Sequence, residues 1–159
     1  MIYLQYLILF FLLFTGTLFS QNSRPAFATD TISTEKGDLQ ITFIGHGTLM
    51  FNYGGTIIHI DPVSRYADYS KLPKADLILI THHHGDHLDP QAIDKLRREQ
   101  TVVIATKTAS EKLKEAIVLN NGESRTIKGI RVEAVPAYNL VHKRDSGEPY
   151  HPKGAGNGY

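Results

Sequence analysis

Residues 75–90 of the sequence are ADLILITHHHGDHLDP, a short apolar run followed by a cluster of histidines. The apolar part, residues 77–80, is uninterrupted and β-favouring, which predicts a strand buried on both faces. Asp89 and Pro90 are typical of a helix N-cap and a first helical residue. The histidines are therefore expected on a strand-to-helix loop, where α/β proteins commonly place their chemistry.

The spacing of the polar residues in this loop predicts a metal site. His82 and His84 are two residues apart, so in an extended backbone their side chains point to one side and can converge on one ion. Asp86 and His87 follow a flexible glycine and can turn toward a second ion. Neutral imidazoles with a carboxylate suit zinc, and also iron or manganese. His83 is expected to point away and to bind no metal. A solvated histidine-rich loop is the alternative.

Residues 81–87 resemble the T-H-x-H-x-D-H motif of the metallo-β-lactamase superfamily of metal-dependent hydrolases. From residue 39 to residue 159, the chain is similar to the branch that includes ascorbate-6-phosphate lactonase-like proteins. The resemblance implies an α/β fold of the αββα-sandwich type and two Zn²⁺ ions, with Mn²⁺ or Fe²⁺ as alternatives. It implies hydrolysis of a small-molecule ester, lactone, amide or phosphodiester by metal-activated water.

The resemblance also implies roles for the residues of the motif. His82 and His84 would hold the first ion, and Asp86 and His87 the second. Asp86 is in addition the candidate catalytic residue, because its carboxylate can orient the attacking water.

The third ligand of the first metal is the point at which the chain departs from many relatives. They carry a histidine after Pro-Ala-Tyr, where this chain has Asn139, and an amide oxygen is a weaker zinc ligand than imidazole. A subset of the family pairs Ala-Tyr-Asn with a downstream His-Pro-Lys-Gly, which makes His151 the first candidate for the missing ligand. Asn139 is the second candidate and His142 the third. A polar loop in which none of them binds metal remains an alternative.

Two residues upstream of the motif also resemble family positions. His46, flanked by glycines, is similar to a histidine found near the metal site in this branch, although a turn histidine is an equal alternative. Asp61 resembles the buried aspartate beneath the metal loop, which implies that it accepts hydrogen bonds from ligands and backbone. His59 lies in an alternating strand and is expected to be structural.

The remaining pattern predicts an α/β layer arrangement. Strands are expected over residues 39–44, 48–53, 56–60, 101–105 and 117–119, helices over 90–100 and 110–116, and a hairpin over 126–135. The chain stops before the aspartate that bridges both metals in the family and before a later metal-binding histidine. The domain at 39–159 is therefore expected to be only the first half of the fold, truncated at the C-terminus. A catalytically incomplete metal-binding fragment is the alternative function.

Composition restricts the partners. The chain has 17 basic and 16 acidic residues, a balance that gives no support for nucleic-acid binding. It contains no cysteine, so neither disulfides nor thiolate ligands are expected. The sequence does not decide the oligomeric state.

Residues 1–28 are predicted to be a signal peptide, followed by a polar linker over residues 29–38. Residues 3–19 are almost wholly apolar, and Ala26-Phe27-Ala28 matches an A-x-A cleavage pattern. Export to the periplasm or the medium is therefore expected. An uncleaved membrane anchor is the alternative, and only then would the protein contact a membrane.

Cleavage after Ala28 would give a mature amino terminus at Thr29. Mass spectrometry of the secreted or periplasmic protein tests this expectation directly. Recovery of the full-length chain from the membrane fraction would contradict it and favour the anchor.

Overall fold

The computed structural model describes residues 27–159, which form a seven-stranded sheet, two small sheets and two short helices. The elements are β1 (Ala28–Thr34), β2 (Gly37–Gly45), β3 (Thr48–Tyr53), β4 (Thr56–Ile60), a 3₁₀ turn (Tyr69–Lys71), β5 (Leu77–Ile80), α1 (Pro90–Leu96), β6 (Val102–Ala105), α2 (Lys107–Ser110), β7 (Ala116–Val118), β8 (Ser124–Ile127), β9 (Ile130–Glu133), β10 (Val135–Ala137) and β11 (Gly156–Gly158). The signal peptide predicted for residues 1–28 falls outside the described residues except for its last two positions. Within residues 27–159, neither helix has the length and hydrophobicity that a membrane crossing requires.

The main sheet places its strands in chain order from β1 to β7. Neighbouring strands are antiparallel from β1 to β4 and parallel from β4 to β7. Because two hairpins separate β2 from β4, the strands β2, β4 and β5 all run in the same direction. Their carboxyl ends therefore meet at one edge of the sheet.

The strand β5 is buried on both faces, as predicted from its apolar run. Ile78 and Ile80 pack in the core cluster that includes Ile93 of α1, whereas Leu77 and Leu79 pack in the cluster on the opposite face. The alternation of side chains along a strand accounts for this division. A short apolar strand thus anchors both layers of the core directly beneath the histidine loop.

The helix after the loop begins where the sequence predicts. The Asp89 side chain accepts hydrogen bonds from the backbone N–H groups of Gln91 and Ala92, and Pro90 occupies the first turn. The helix ends at Leu96, short of the predicted residue 100, because Arg97 adopts an extended conformation. The second helix spans Lys107–Ser110 in place of the predicted 110–116, since the Thr106 hydroxyl caps it earlier by accepting from the Ala109 N–H.

The expected linker over residues 29–38 is wrong in the structure, since most of this segment is strand. β1 pairs along its whole length with β2, from Ala28 opposite Phe43 to Thr34 opposite Gly37. All of its side chains are exposed, so pairing and β-branched residues, rather than burial, account for the strand. The polarity that suggested a linker reflects this exposed edge position.

β10 and β11 form a two-stranded sheet that holds together the two ends of the loop between them. No pattern in the sequence predicted this sheet. Ala137 lies opposite Gly156, where an added Cβ would come 3.0 Å from the Ala137 carbonyl oxygen. Next to it, the Asn157 N–H donates to the Thr81 carbonyl oxygen at 2.9 Å. This bond ties the small sheet to the start of the histidine loop.

The buried His59 of β4 gives the fold a pH dependence. Its Nε2 lies 3.0 Å from the Pro73 carbonyl oxygen, and burial lowers its pKa from 6.5 to about 4. The unfolded chain therefore binds more protons than the folded chain between these values. The stabilising contribution is complete above pH 6.5 and is lost as the pH falls toward 4.

We expect His59→Gln to remove this part of the acid sensitivity. The pKa difference corresponds to about 3 kcal/mol of unfolding free energy. Urea unfolding from pH 7 to pH 4 measures it, with His142→Gln, a substitution at an exposed histidine, as a matched control. An unchanged pH slope in His59→Gln would contradict the assignment.

Candidate metal centre

The loop after β5 brings two groups of metal-binding side chains together. His82, His84 and His151 form the first group, and His46, Asp86 and His87 the second. Within each group the potential ligand atoms lie within 4.8 Å of one another. The ring centroids of His82 and His87 are 4.0 Å apart, so the groups are adjacent. An open cleft of about 450 Å³ borders them.

Asp61 and Thr81 fix the orientation of the His82 ring. The Thr81 hydroxyl donates to Asp61 Oδ2 at 2.5 Å and lies 3.0 Å from His82 Nδ1. Because the single hydroxyl proton goes to the carboxylate, His82 Nδ1–H is the donor to Thr81 Oγ1. The network thus assigns the tautomer in which Nε2 carries a lone pair.

That Nε2 atom is the strongest sign that the site binds a cation. It is buried, and within the described part of the chain it has no hydrogen-bond partner. An unpaired buried polar atom costs about 1–3 kcal/mol, which a bound metal ion would offset. Three imidazoles in one group, and two imidazoles with a carboxylate in the other, fit Zn²⁺ and also suit iron or manganese. The residues present therefore fit the metal that the motif implies.

The same aspartate orients His87. Asp61 is almost fully buried, and its Oδ2 lies 2.7 Å from His87 Nδ1, so His87 Nε2 faces the second group. Gly47 makes room for this ring, since a Cβ at that position would lie 3.0 Å from His87 Cε1. A carboxylate behind a ligating histidine fixes its tautomer and raises its basicity.

The second group is more open than the first. His46 Nε2 lies 3.4 Å from Asp86 Oδ2, and His87 Nε2 lies 4.0 Å from the same oxygen. The side chains of His46 and Asp86 are 48% and 44% exposed. These three ligand atoms surround a position reachable from solvent.

The electrostatics of the first ligand group favour the forms that bind metal. Burial, together with smaller contributions from the neighbouring His87 and His151, lowers the pKa of His82 to about 3. Burial also lowers the pKa of His84. At neutral pH, His82 and His84 are therefore neutral imidazoles, as metal ligation requires. In the second group, by contrast, the hydrogen bond to Asp61 raises the pKa of His87, so a metal ion must displace a proton more readily held there.

The structure distinguishes the three candidates for the remaining ligand by position. His151 lies in the first group, with its Nε2 3.2 Å from His84 Nδ1. Asn139 sits behind it, with its side-chain oxygen 2.8 Å from His151 Nδ1. His142 is exposed and lies in neither ligand group, and His83 also belongs to neither.

Two features of the site were missed or undervalued in the sequence. The Thr81 hydroxyl links Asp61 to His82. No role was predicted for Thr81, although its place as the first residue of the motif could have suggested one. His46 joins Asp86 and His87, which gives the second group three ligand atoms. The glycines on both sides of His46 were the signal for the turn that brings it there.

Residues 40–159 match the sequence family described as the beta-lactamase superfamily domain. The chain belongs to the beta-lactamase superfamily. A candidate metal-dependent hydrolase from Parabacteroides distasonis, known from its crystal structure, is 49% identical, with a TM-score of 0.77 over 84% of this chain and 60% of that one. These similarities confirm the predicted metallo-β-lactamase-like α/β fold.

Other similar proteins have a lower sequence identity to this chain. A UPF0173 metal-dependent hydrolase from Methanopyrus kandleri is 29% identical over 118 residues, which cover 69% of this chain and 51% of that protein. Igni18, a metallo hydrolase from Ignicoccus hospitalis, is 25% identical, with a TM-score of 0.53 over 70% of this chain and 53% of that one. The chain spans about half the length of the curated relatives it matches.

We expect the double substitution His82→Ala/His84→Ala to abolish tight binding of one ion, since it removes two of three ligands in the first group. Competition with a chromophoric chelator for Zn²⁺ measures the loss. His83→Ala is the matched control, because His83 lies in the same loop but belongs to neither ligand group. A double variant that binds zinc as tightly as the parent would contradict the assignment.

Proposed function

We propose that the chain carries the metal centre of a metal-dependent hydrolase that acts on a small-molecule ester, lactone, amide or phosphodiester. The buried, unpaired Nε2 of His82, at the meeting point of two ligand groups, is the observation that carries this proposal. The metal-dependent hydrolases among the relatives support the reaction class. Zn²⁺ is the proposed ion, with Mn²⁺ and Fe²⁺ as alternatives.

A divalent ion held by the two ligand groups would supply Lewis acidity. The residues of the chain provide orientation. Thr81 and Asp61 hold the His82 and His87 rings with their outer nitrogens facing the two groups. Pre-set ligands of this kind need little reorganisation when substrate arrives.

Asp86 is the proposed catalytic residue. Burial raises its pKa, but a hydrogen bond from its own backbone and the nearby His87 and His46 outweigh that effect, so the pKa lies below its ordinary value. The carboxylate is therefore ionised at neutral pH and open to solvent. It can accept a hydrogen bond from water and orient that water toward substrate in the cleft.

The cleft beside the metal centre supports a small-molecule substrate. Its volume is about 450 Å³, and Tyr138, His151 and Gly158 contribute to its lining. This size suits a ligand of modest dimensions. The resemblance to the ascorbate-6-phosphate lactonase-like branch makes lactones the first substrate class to test.

A catalytically incomplete metal-binding fragment is the second candidate. It is favoured by one observation, that His46 and Asp86 of the second group are 48% and 44% exposed, so that group is open to solvent. In this case the chain would take up metal without turnover. The two candidates therefore differ in activity while sharing the metal centre.

We expect turnover of at least one of the four substrate classes by protein loaded with Zn²⁺, Mn²⁺ or Fe²⁺. Asp86→Asn should lower the turnover rate by about 10²-fold or more, because it removes the carboxylate that orients water. His83→Ala should retain the parent rate. If the metal-loaded protein turns over none of the four substrate classes, the hydrolase proposal is wrong and the catalytically incomplete fragment takes its place.

Export of the protein is a separate proposal. It rests on the apolar stretch at residues 3–19 and on the A-x-A pattern that ends at Ala28. The amino-terminal mass of the recovered protein, described above, decides it.

A further inference from the structure

Asn139 and His151 are joined by a set of hydrogen bonds across the loop between β10 and β11. The Asn139 N–H donates to the His151 carbonyl oxygen at 2.9 Å. The Asn139 Oδ1 accepts from the His151 backbone N–H at 2.8 Å and lies 2.8 Å from its Nδ1. The side chain of one residue thus holds both the backbone and the ring of the other.

These contacts assign the direction of each bond. A backbone N–H is always a donor, so the atom of Asn139 that faces it must be the amide oxygen and not the nitrogen. The same oxygen faces His151 Nδ1, which must then carry the proton. His151 Nε2 is left with a lone pair and lies 3.2 Å from His84 Nδ1, inside the first ligand group.

The histidine needs such a contact because of where it lies in the chain. The intervening loop is largely exposed, with Leu140 at 77% and Val141 at 81% exposure. The pairing of β10 with β11 brings the loop ends together but does not by itself fix the orientation of the His151 imidazole. Thr81 holds the His82 ring and Asp61 holds the His87 ring. Asn139 is the residue that makes the corresponding contact to the His151 ring.

We propose that Asn139 is the positioning residue that makes His151 a metal ligand, by locking its ring and its tautomer. This inference rests on the proposed metal centre. Asn139 acts through His151 rather than on the ion, since its oxygen already accepts from two donors of His151. The departure from the histidine of many relatives is thereby explained, because this position orients a ligand that lies twelve residues further along.

Zinc affinity of the full chain, measured by chelator competition, tests this role. Loss of an outer partner of a ligating histidine typically weakens metal binding about 10–100-fold, and we expect this range for Asn139→Ala. Asn139→Asp keeps an oxygen acceptor for both donors and should bind zinc at least as tightly as the parent. Asn52→Ala, a distant asparagine substitution in β3, should bind zinc like the parent.

Two further readouts separate positioning from a general structural effect. In a His151→Ala background, Asn139→Ala should weaken zinc binding no further, since its effect passes through the missing imidazole. In the zinc-loaded parent, ¹⁵N chemical shifts of His151 should show a protonated Nδ1. The variant Asn139→Gln, whose side-chain oxygen is displaced by one methylene, should weaken zinc binding as Asn139→Ala does. Asn139→Gln also serves as the test variant if Asn139→Ala does not fold.

Parent-like zinc affinity in both Asn139→Ala and Asn139→Gln would overturn the inference, and so would a further loss in the His151→Ala background. Either result leaves the hydrolase proposal intact if His82→Ala/His84→Ala still abolishes tight binding of one ion. A parent chain that takes up no zinc would instead overturn the metal centre itself.

Discussion

The Asp61 carboxylate accepts hydrogen bonds from the Thr81 N–H, the Thr81 hydroxyl and His87 Nδ1. The bond from the Thr81 N–H fixes the backbone where β5 ends. The bond from the Thr81 hydroxyl orients the His82 ring through Thr81, and the bond to His87 Nδ1 orients the His87 ring. Its own backbone is fixed as well, since the Asp61 N–H donates to the Leu79 carbonyl oxygen and its carbonyl oxygen accepts from the Thr48 hydroxyl. A single buried carboxylate therefore connects the ends of β4 and β5 to both ligand groups.

Sheet topology supplies the rest of the convergence. His46 follows β2, Asp61 follows β4 and the histidine loop follows β5, three strands that run in the same direction. Their carboxyl ends place these residues at one edge, where α/β sheets usually bind ligands. His151 arrives separately, through the small sheet that Asn157 attaches to Thr81. The candidate metal centre thus unites segments that are distant in sequence.

Local patterns in the sequence predicted the parts of this arrangement that local physics determines. The β5 run, the Asp89 cap and the strands at 48–53 and 56–60 are found where the pattern placed them. Elements held by pairing alone were harder to predict. β1 has no buried face to reveal it, and β10 and β11 are short and rich in glycine and proline.

The same distinction applies to the site. The grouping of His82 with His84 follows from their spacing in one extended segment. The places of His46 and His151 depend on tertiary contacts, which one sequence does not encode in any local pattern. Residue type likewise suggested that Asn139 was a ligand candidate, whereas its hydrogen bonds to His151 become visible only when the loop ends meet.

The backbone of Asp61 has a φ of +46°, a left-handed conformation that L-residues other than asparagine and aspartate rarely adopt. This conformation costs an ordinary L-residue about 1–2 kcal/mol and an aspartate less, because its short side chain can form local hydrogen bonds. Glycine would relieve the strain but remove the carboxylate, and asparagine would keep the conformation but replace one acceptor oxygen with a donor. Aspartate at this position is therefore a trade-off between backbone strain and assembly, since the strained residue is the one whose carboxylate holds both ligand groups in place.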